Sequence, residues 1–155
     1  MTKEKIKQII YLILVVIWMS TIFNFSSQTG GESQGLSQKV TKAIVEIFTH
    51  NQNIEEAKKL ELIENLDYYI RKLAHFSIYA LGGILIYNYI NTYNLSKKIV
   101  IIISILIGAI YAMTDEFHQI FTSGRSANLL DVLIDSSGII VGVTLKNLMR
   151  KLEKP

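Results

Sequence analysis

The stretch QIIYLILVVIWMSTIFNFSSQTGG, residues 8–31, holds no Asp, Glu, Lys or Arg at any of its 24 positions, and its core from Ile9 to Phe23 is almost wholly apolar. A hydrocarbon layer of about 30 Å needs about 20 helical residues at 1.5 Å each, so the stretch is long enough to cross a bilayer as a helix. A cleaved signal peptide is the rival reading, because Lys3, Lys5 and Lys7 form a basic lead-in to the apolar run. Ile22, Phe23, Asn24 and Phe25 offer no small-residue cleavage site, so residues 8–25 are read as a retained span.

Outward from this stretch the pattern repeats. Leu73 to Ser96 and Ile99 to Thr114 also lack Asp, Glu, Lys and Arg, and Leu129 to Leu148 is apolar apart from Asp131 and Asp135 near its start and Lys146 near its end. Spans are predicted at 73–92, 99–116 and 129–148, giving a single all-α, polytopic membrane domain over residues 1–155, built as a four-helix transmembrane bundle. Composition agrees: the chain is 50% hydrophobic and 19% charged, against roughly 25% charged in soluble domains. The absence of cysteine excludes disulfide scaffolds and thiol nucleophiles. The single proline is Pro155, so nothing inside the chain forces a helix to break.

The net charge of +3 would suit nucleic acid if the cations formed one binding patch. Instead Lys3, Lys5, Lys7, Lys97, Lys98, Lys146, Arg150, Lys151 and Lys154 fall on one side when four helices alternate. Positive flanks mark the cytoplasmic side, so both termini are expected there and no nucleic-acid partner is expected. The outer side carries residues 24–72. Ser26 to Gly35 is rich in serine and glycine and reads as a loop. Leu36, Val40, Ile44, Ile47 and Phe48 then recur at helical spacing, which predicts an outer amphipathic helical segment, 36–70, lying on the outer leaflet or capping the bundle. The segment includes a break over 50–53, and Leu60, Ile63, Leu66 and Ile70 beyond it suggest that the second spanning helix begins well outside the membrane.

Ionisable groups inside membrane helices are costly, so each is a functional hypothesis. At the common outer depth of three helices stand His75, Asp115, Glu116 and Asp131, candidates for acid/base chemistry. A histidine among carboxylates can exchange protons, and the same donor set suits a divalent cation. Arg71, Tyr79, Gln119 and Arg125 are candidates for ligand binding, since a guanidinium can hold a phosphate or carboxylate. Helical spacing sorts them: Arg71, His75 and Tyr79 form one stripe, Asp115 and Gln119 another, and Asp131 and Asp135 a third. Gly138 and Gly142, with Ser104, Gly108 and Ala112, are expected to let helices approach closely.

FSSQTG (Phe25 to Gly30), RKLAHFSIYALGG (Arg71 to Gly83) and TDEFHQIFTSGRSANLLDVLIDSSG (Thr114 to Gly138), with Gly142, together resemble the VanZ-like family of small bacterial membrane proteins, named for an accessory protein of glycopeptide resistance. The resemblance covers about residues 25–142. It adds Ser27 and Gln28 to the ligand-binding candidates and implies a multi-pass protein of the bacterial cell membrane. Many members have asparagine where Asp135 stands here, and His118 falls at a variable position. For the founding member the resemblance implies low-level teicoplanin resistance. The expected function is therefore the binding or shielding of a glycopeptide or a lipid-linked cell-wall ligand at the outer face. The alternative is a membrane-embedded acid/base or metal-dependent enzyme acting on a lipid-linked envelope substrate.

Overall fold

A computed structural model describes residues 1–50 and 54–152. Among the described residues the structure is helical: α1 is Lys3–Ser26, α2 Gly30–Thr49, α3 Glu56–Asn91, α4 Lys97–Gln119 and α5 Leu129–Leu152. Residues 51–53 of the expected break, and Lys154 among the expected cytoplasmic cations, lie outside this description.

Three helices, α1, α3 and α4, are long and apolar enough to cross a membrane, and this is a membrane protein. The surface is inverted relative to that of a soluble domain. Ile9, Ile10, Ile13, Val16 and Ile17 of α1 are exposed, while Ser104, Asp115, Glu116, Gln119 and Asp135 are buried. Such an arrangement is stable where the surroundings are hydrocarbon. The helix expected as a fourth span, α5, has sufficient length but is not among those three. At 36 residues α3 is about 54 Å long and outreaches the bilayer, as the outer apolar periodicity of Leu60 to Ile70 foreshadows.

Close approach of α3 and α5 centres on glycine. A Cβ added to Gly138 would strike the Phe76 carbonyl, and one added to Gly142 would strike the Ala80 carbonyl, so no larger residue fits at either position. Around this contact Tyr79, Ile86, Tyr87, Ile139 and Val143 are fully buried. Trp18 secures α1 by donating from Nε1 to the Ile78 carbonyl at 2.8 Å, and Tyr111 of α4 donates to the Met19 carbonyl at 2.6 Å. At one end of the bundle Gln8 donates to the Thr92 carbonyl at 3.5 Å and Arg150 bonds Asn91, which gathers the lysines flanking α1 and α4 with the basic tail of α5.

One expectation about the outer segment is corrected. Ser26 to Gly35 is not a loop, because α2 begins at Gly30. The Thr29 hydroxyl accepts from the Glu32 amide, and the Glu32 carboxylate accepts from the Thr29 amide at 2.9 Å. This reciprocal cap satisfies donors at the helix start and overrides the glycine-rich composition. The packing face of α2 differs from the apolar stripe. Thr41, Val45 and Thr49 are buried, whereas Leu36, Val40, Ile47 and Phe48 are exposed. The Thr41 hydroxyl, 2.9 Å from the Ser37 carbonyl of its own helix, also comes within 3.2 Å of Asp67 of α3, and both residues are buried.

Candidate functional site

At the end opposite the basic cluster, two segments far apart in sequence clasp each other. The Gly30 amide donates to the Ser123 carbonyl at 3.0 Å, Thr122 donates to the Ser26 carbonyl at 3.4 Å, and Arg125 donates to the Phe25 carbonyl at 3.1 Å. Gly124 takes φ +72°, a conformation open to glycine, and its carbonyl lies where a Cβ on Gly30 would stand. FSSQTG and TSGRS thus form one structural unit.

Beneath the clasp lies a cavity of about 280 Å³. Ile22, Phe25 and Ser26 of α1, Leu36 and Val40 of α2, and Ile70, Ala74 and Ile78 of α3 make a mostly apolar wall. Seven predicted site residues also line it: Gln28, Arg71, His75, Tyr79, Asp115, Gln119 and Arg125. The stripe spacing of Arg71, His75 and Tyr79 is what aims one face of α3 into it, and Asp115 and Gln119 do the same for α4.

The cavity groups are only partly engaged with one another. Asp115 accepts from Gln119 at 3.2 Å. His75 Nδ1 stands 3.6 Å from Asp135 Oδ1, and Asp135 is fully buried. Among the described residues the buried Ser26 hydroxyl and the Asp135 oxygens find no hydrogen-bond partner. Arg71 meets Asp67 at 3.4 Å, and Asp67 in turn holds Thr41. For Arg125 in the loop, burial lowers the guanidinium pKa from its ordinary value, Asp115 opposes that, and Arg71 adds to it. A cation this desolvated gains from an anionic partner.

Three predicted residues are placed elsewhere. Asp131 forms an ion pair with Lys72, whose ammonium also lies 5.3 Å from the Tyr68 ring centroid. Glu116 accepts from the Asn128 amide at 2.9 Å and so fixes the chain just before α5. Ser27 donates to the Phe23 carbonyl at 2.8 Å and lies 3.2 Å from His118 Nε2. Among the described residues no three of His, Asp and Glu are arranged to hold a metal ion.

Sequence reasoning missed Asp67, Ser26 and Asn128. Asp67 stands four residues before Arg71, and that spacing would have revealed the pair. Ser26 and Asn128 carry no such signal, because their importance arises from contacts between distant segments. A profile described as VanZ/LLP1 matches residues 11–150. No curated protein and no solved structure matches the chain.

Proposed function

The chain belongs to the VanZ/LLP1 family, and on that premise we propose that it is a bacterial cell-membrane protein that binds an amphiphilic envelope ligand in its outer cavity. The ligand would be the lipid-bearing part of a glycopeptide or a lipid-linked cell-wall precursor, and its capture or shielding would contribute to teicoplanin-type resistance. In this reading α5 is a fourth span, and both termini are cytoplasmic with their lysines and arginines. The observation that carries the reading is the cavity, whose apolar wall and paired arginines suit a ligand that is part tail and part anion. Arg71 and Arg125 would bind the anion, and Gln28, Tyr79 and Gln119 would supply orienting hydrogen bonds.

One arrangement favours a second reading, catalysis on such a ligand. A carboxylate held against one ring nitrogen of a histidine orients it as a general base, and Asp135 stands in that relation to His75 beside Asp115. Glu116 and Asp131 would then hold the surrounding structure, and a divalent cation would need donors from the ligand itself.

The test is expression of wild type, His75→Ala, Asp115→Asn and Arg125→Gln in a sensitive Gram-positive host, with membrane levels matched and teicoplanin susceptibility measured. Reduced susceptibility with wild type, lost in each variant, supports the cavity as the working site. Variants that protect as well as wild type assign the polar cluster to structure. A wild type without effect removes the resistance reading for this chain.

A further inference from the structure

Size, rim and charge of the cavity narrow the ligand further. At about 280 Å³ the cavity lies just below the range of about 300–1,000 Å³ usual for small-ligand pockets, a size that suits a compact head such as a phosphate with the first carbons of its chain.

The rim says where the rest of such a chain goes. Phe25, Leu36 and Val40 line the cavity and yet are 49%, 47% and 48% exposed, so the same side chains form its inner wall and its outer surface. Phe25 stands in the last turn of α1 and Leu36 and Val40 in the body of α2, and these three bound a gap at the edge of the cavity whose outer surface is apolar. Beside this gap are Arg125, which holds the Phe25 carbonyl, and Arg71, whose partner Asp67 holds Thr41 of α2, while Asp115 is the one carboxylate among the residues lining the cavity. Each guanidinium has five N–H donors, and the protein uses one from each, toward Asp67 and the Phe25 carbonyl. The buried Ser26 hydroxyl, without a hydrogen-bond partner among the described residues, adds a further donor at the same cavity.

We infer that the cavity takes the phosphate ester head of a single membrane lipid, held between Arg71 and Arg125, with the chain leaving through the gap at Phe25, Leu36 and Val40 into the outer leaflet. The inference deepens the binding function proposed above and rests on it for the cavity, but not for resistance.

Native mass spectrometry of the full chain released from dodecyl maltoside micelles, titrated with dodecyl phosphate, tests it. The expected result is one alkyl phosphate per chain. Arg125→Gln and Arg71→Gln should each weaken it at least about tenfold, the share of one charge-assisted hydrogen bond. Inorganic phosphate should compete only at about one hundredfold higher concentration, because it lacks the buried methylenes. Val40→Trp, at a half-exposed position that cannot disturb the core, should block the exit and weaken binding by a similar tenfold. Equal competition by inorganic phosphate would make this a free-anion site. Equal retention of dodecanol would make it an apolar slot without headgroup recognition, and full binding by Val40→Trp would refute the exit. If Arg125→Gln fails to give a monodisperse helical protein, the competition series on wild type and the Val40→Trp variant still decide. Binding of dodecyl phosphate by a chain that does not alter teicoplanin susceptibility leaves this inference standing while the resistance reading falls.

Discussion

Four carboxylates sit at the clasp end of α4 and α5, two on each helix, and they divide into two kinds. Glu116 and Asp131 hold structure: one accepts the Asn128 amide at Oε2, though its Oε1 is buried without a partner among the described residues, and the other is paired with Lys72. Asp115 lines the cavity and has a glutamine, and Asp135, fully buried, has a cavity-lining histidine at 3.6 Å. Adjacent residues on a helix point about 100° apart, which turns Asp115 and Glu116 to different neighbours. Asp131 and Asp135 share a face but differ by one turn in depth, and α3 meets them with Lys72 above and His75 below. Residue type alone therefore says little about role here; the partner that the next helix offers decides whether an acid is a pin or a reactive group.

That division can be broken most directly at Asp131. Removing one member of a largely buried ion pair costs about 3–5 kcal/mol, and with both side chains 20% exposed we expect about 2–4 kcal/mol for Asp131→Ala, read as a fall in thermal midpoint in detergent. The double variant Lys72→Met with Asp131→Leu should recover most of that loss, since two apolar side chains replace the pair without stranding a charge. A double variant no more stable than Asp131→Ala would show that the pair does more than pin α5.

Glu116→Ala comes next, at about 1–3 kcal/mol for a stranded amide at Asn128, and Glu116→Gln should restore most of it by keeping an acceptor. Asp115→Asn is expected to do the opposite of both. It keeps a hydrogen-bond acceptor for Gln119, so the melting midpoint should move by less than the equivalent of about 1 kcal/mol, while dodecyl phosphate binding holds or tightens because a negative charge beside the head is removed. A destabilisation as large as that of Asp131→Ala would place Asp115 among the pins.

The smallest effect is expected outside the bundle, at Glu32. Two hydrogen bonds from Thr29, the stronger influence being the backbone one, hold its carboxyl below the ordinary value of 4.5. A depressed folded-state value means that the cap is fully stabilising above the unfolded-state value and is lost as pH falls through the lowered one. Carbon-detected titration of Glu32 should show that lowered midpoint, and in Thr29→Ala it should rise only part of the way back, because alanine loses the hydroxyl but keeps the backbone N–H that is the stronger influence.

Much of the architecture was legible because hydrocarbon imposes long uncharged runs, and the runs at Ile9 to Phe23, Leu73 to Asn91 and Ile99 to Thr114 fall within α1, α3 and α4. The depth argument also brought His75 and Asp115 to one cavity, because rise per residue is fixed once the inner ends are fixed. It placed Asp131 at the right level but could not foresee Lys72 as its partner, since pairing depends on how two helices rotate against each other. The start of α2 was hidden for a different reason. Gly30 and Gly31 weigh against helix in composition, whereas the capping box of Thr29 and Glu32 acts through two specific hydrogen bonds. The apolar stripe of α2 was legible, but not that Thr41, Val45 and Thr49 would be its buried face, since that depends on what α3 offers, here Asp67 at 3.2 Å from Thr41.

The clasp over the cavity sets the order in which this molecule can be made. Arg125 and the Phe25 carbonyl that it holds are 100 residues apart, with two candidate spans of the three between them. During synthesis α1 and α2 emerge and settle long before the TSGRS loop exists, so early intermediates carry the first motif with its amides and carbonyls open to other partners. Contacts this distant in sequence close last. A chain stalled or cut before Ser123 would therefore be inserted, helical and siteless, and the cavity is a late product of biogenesis.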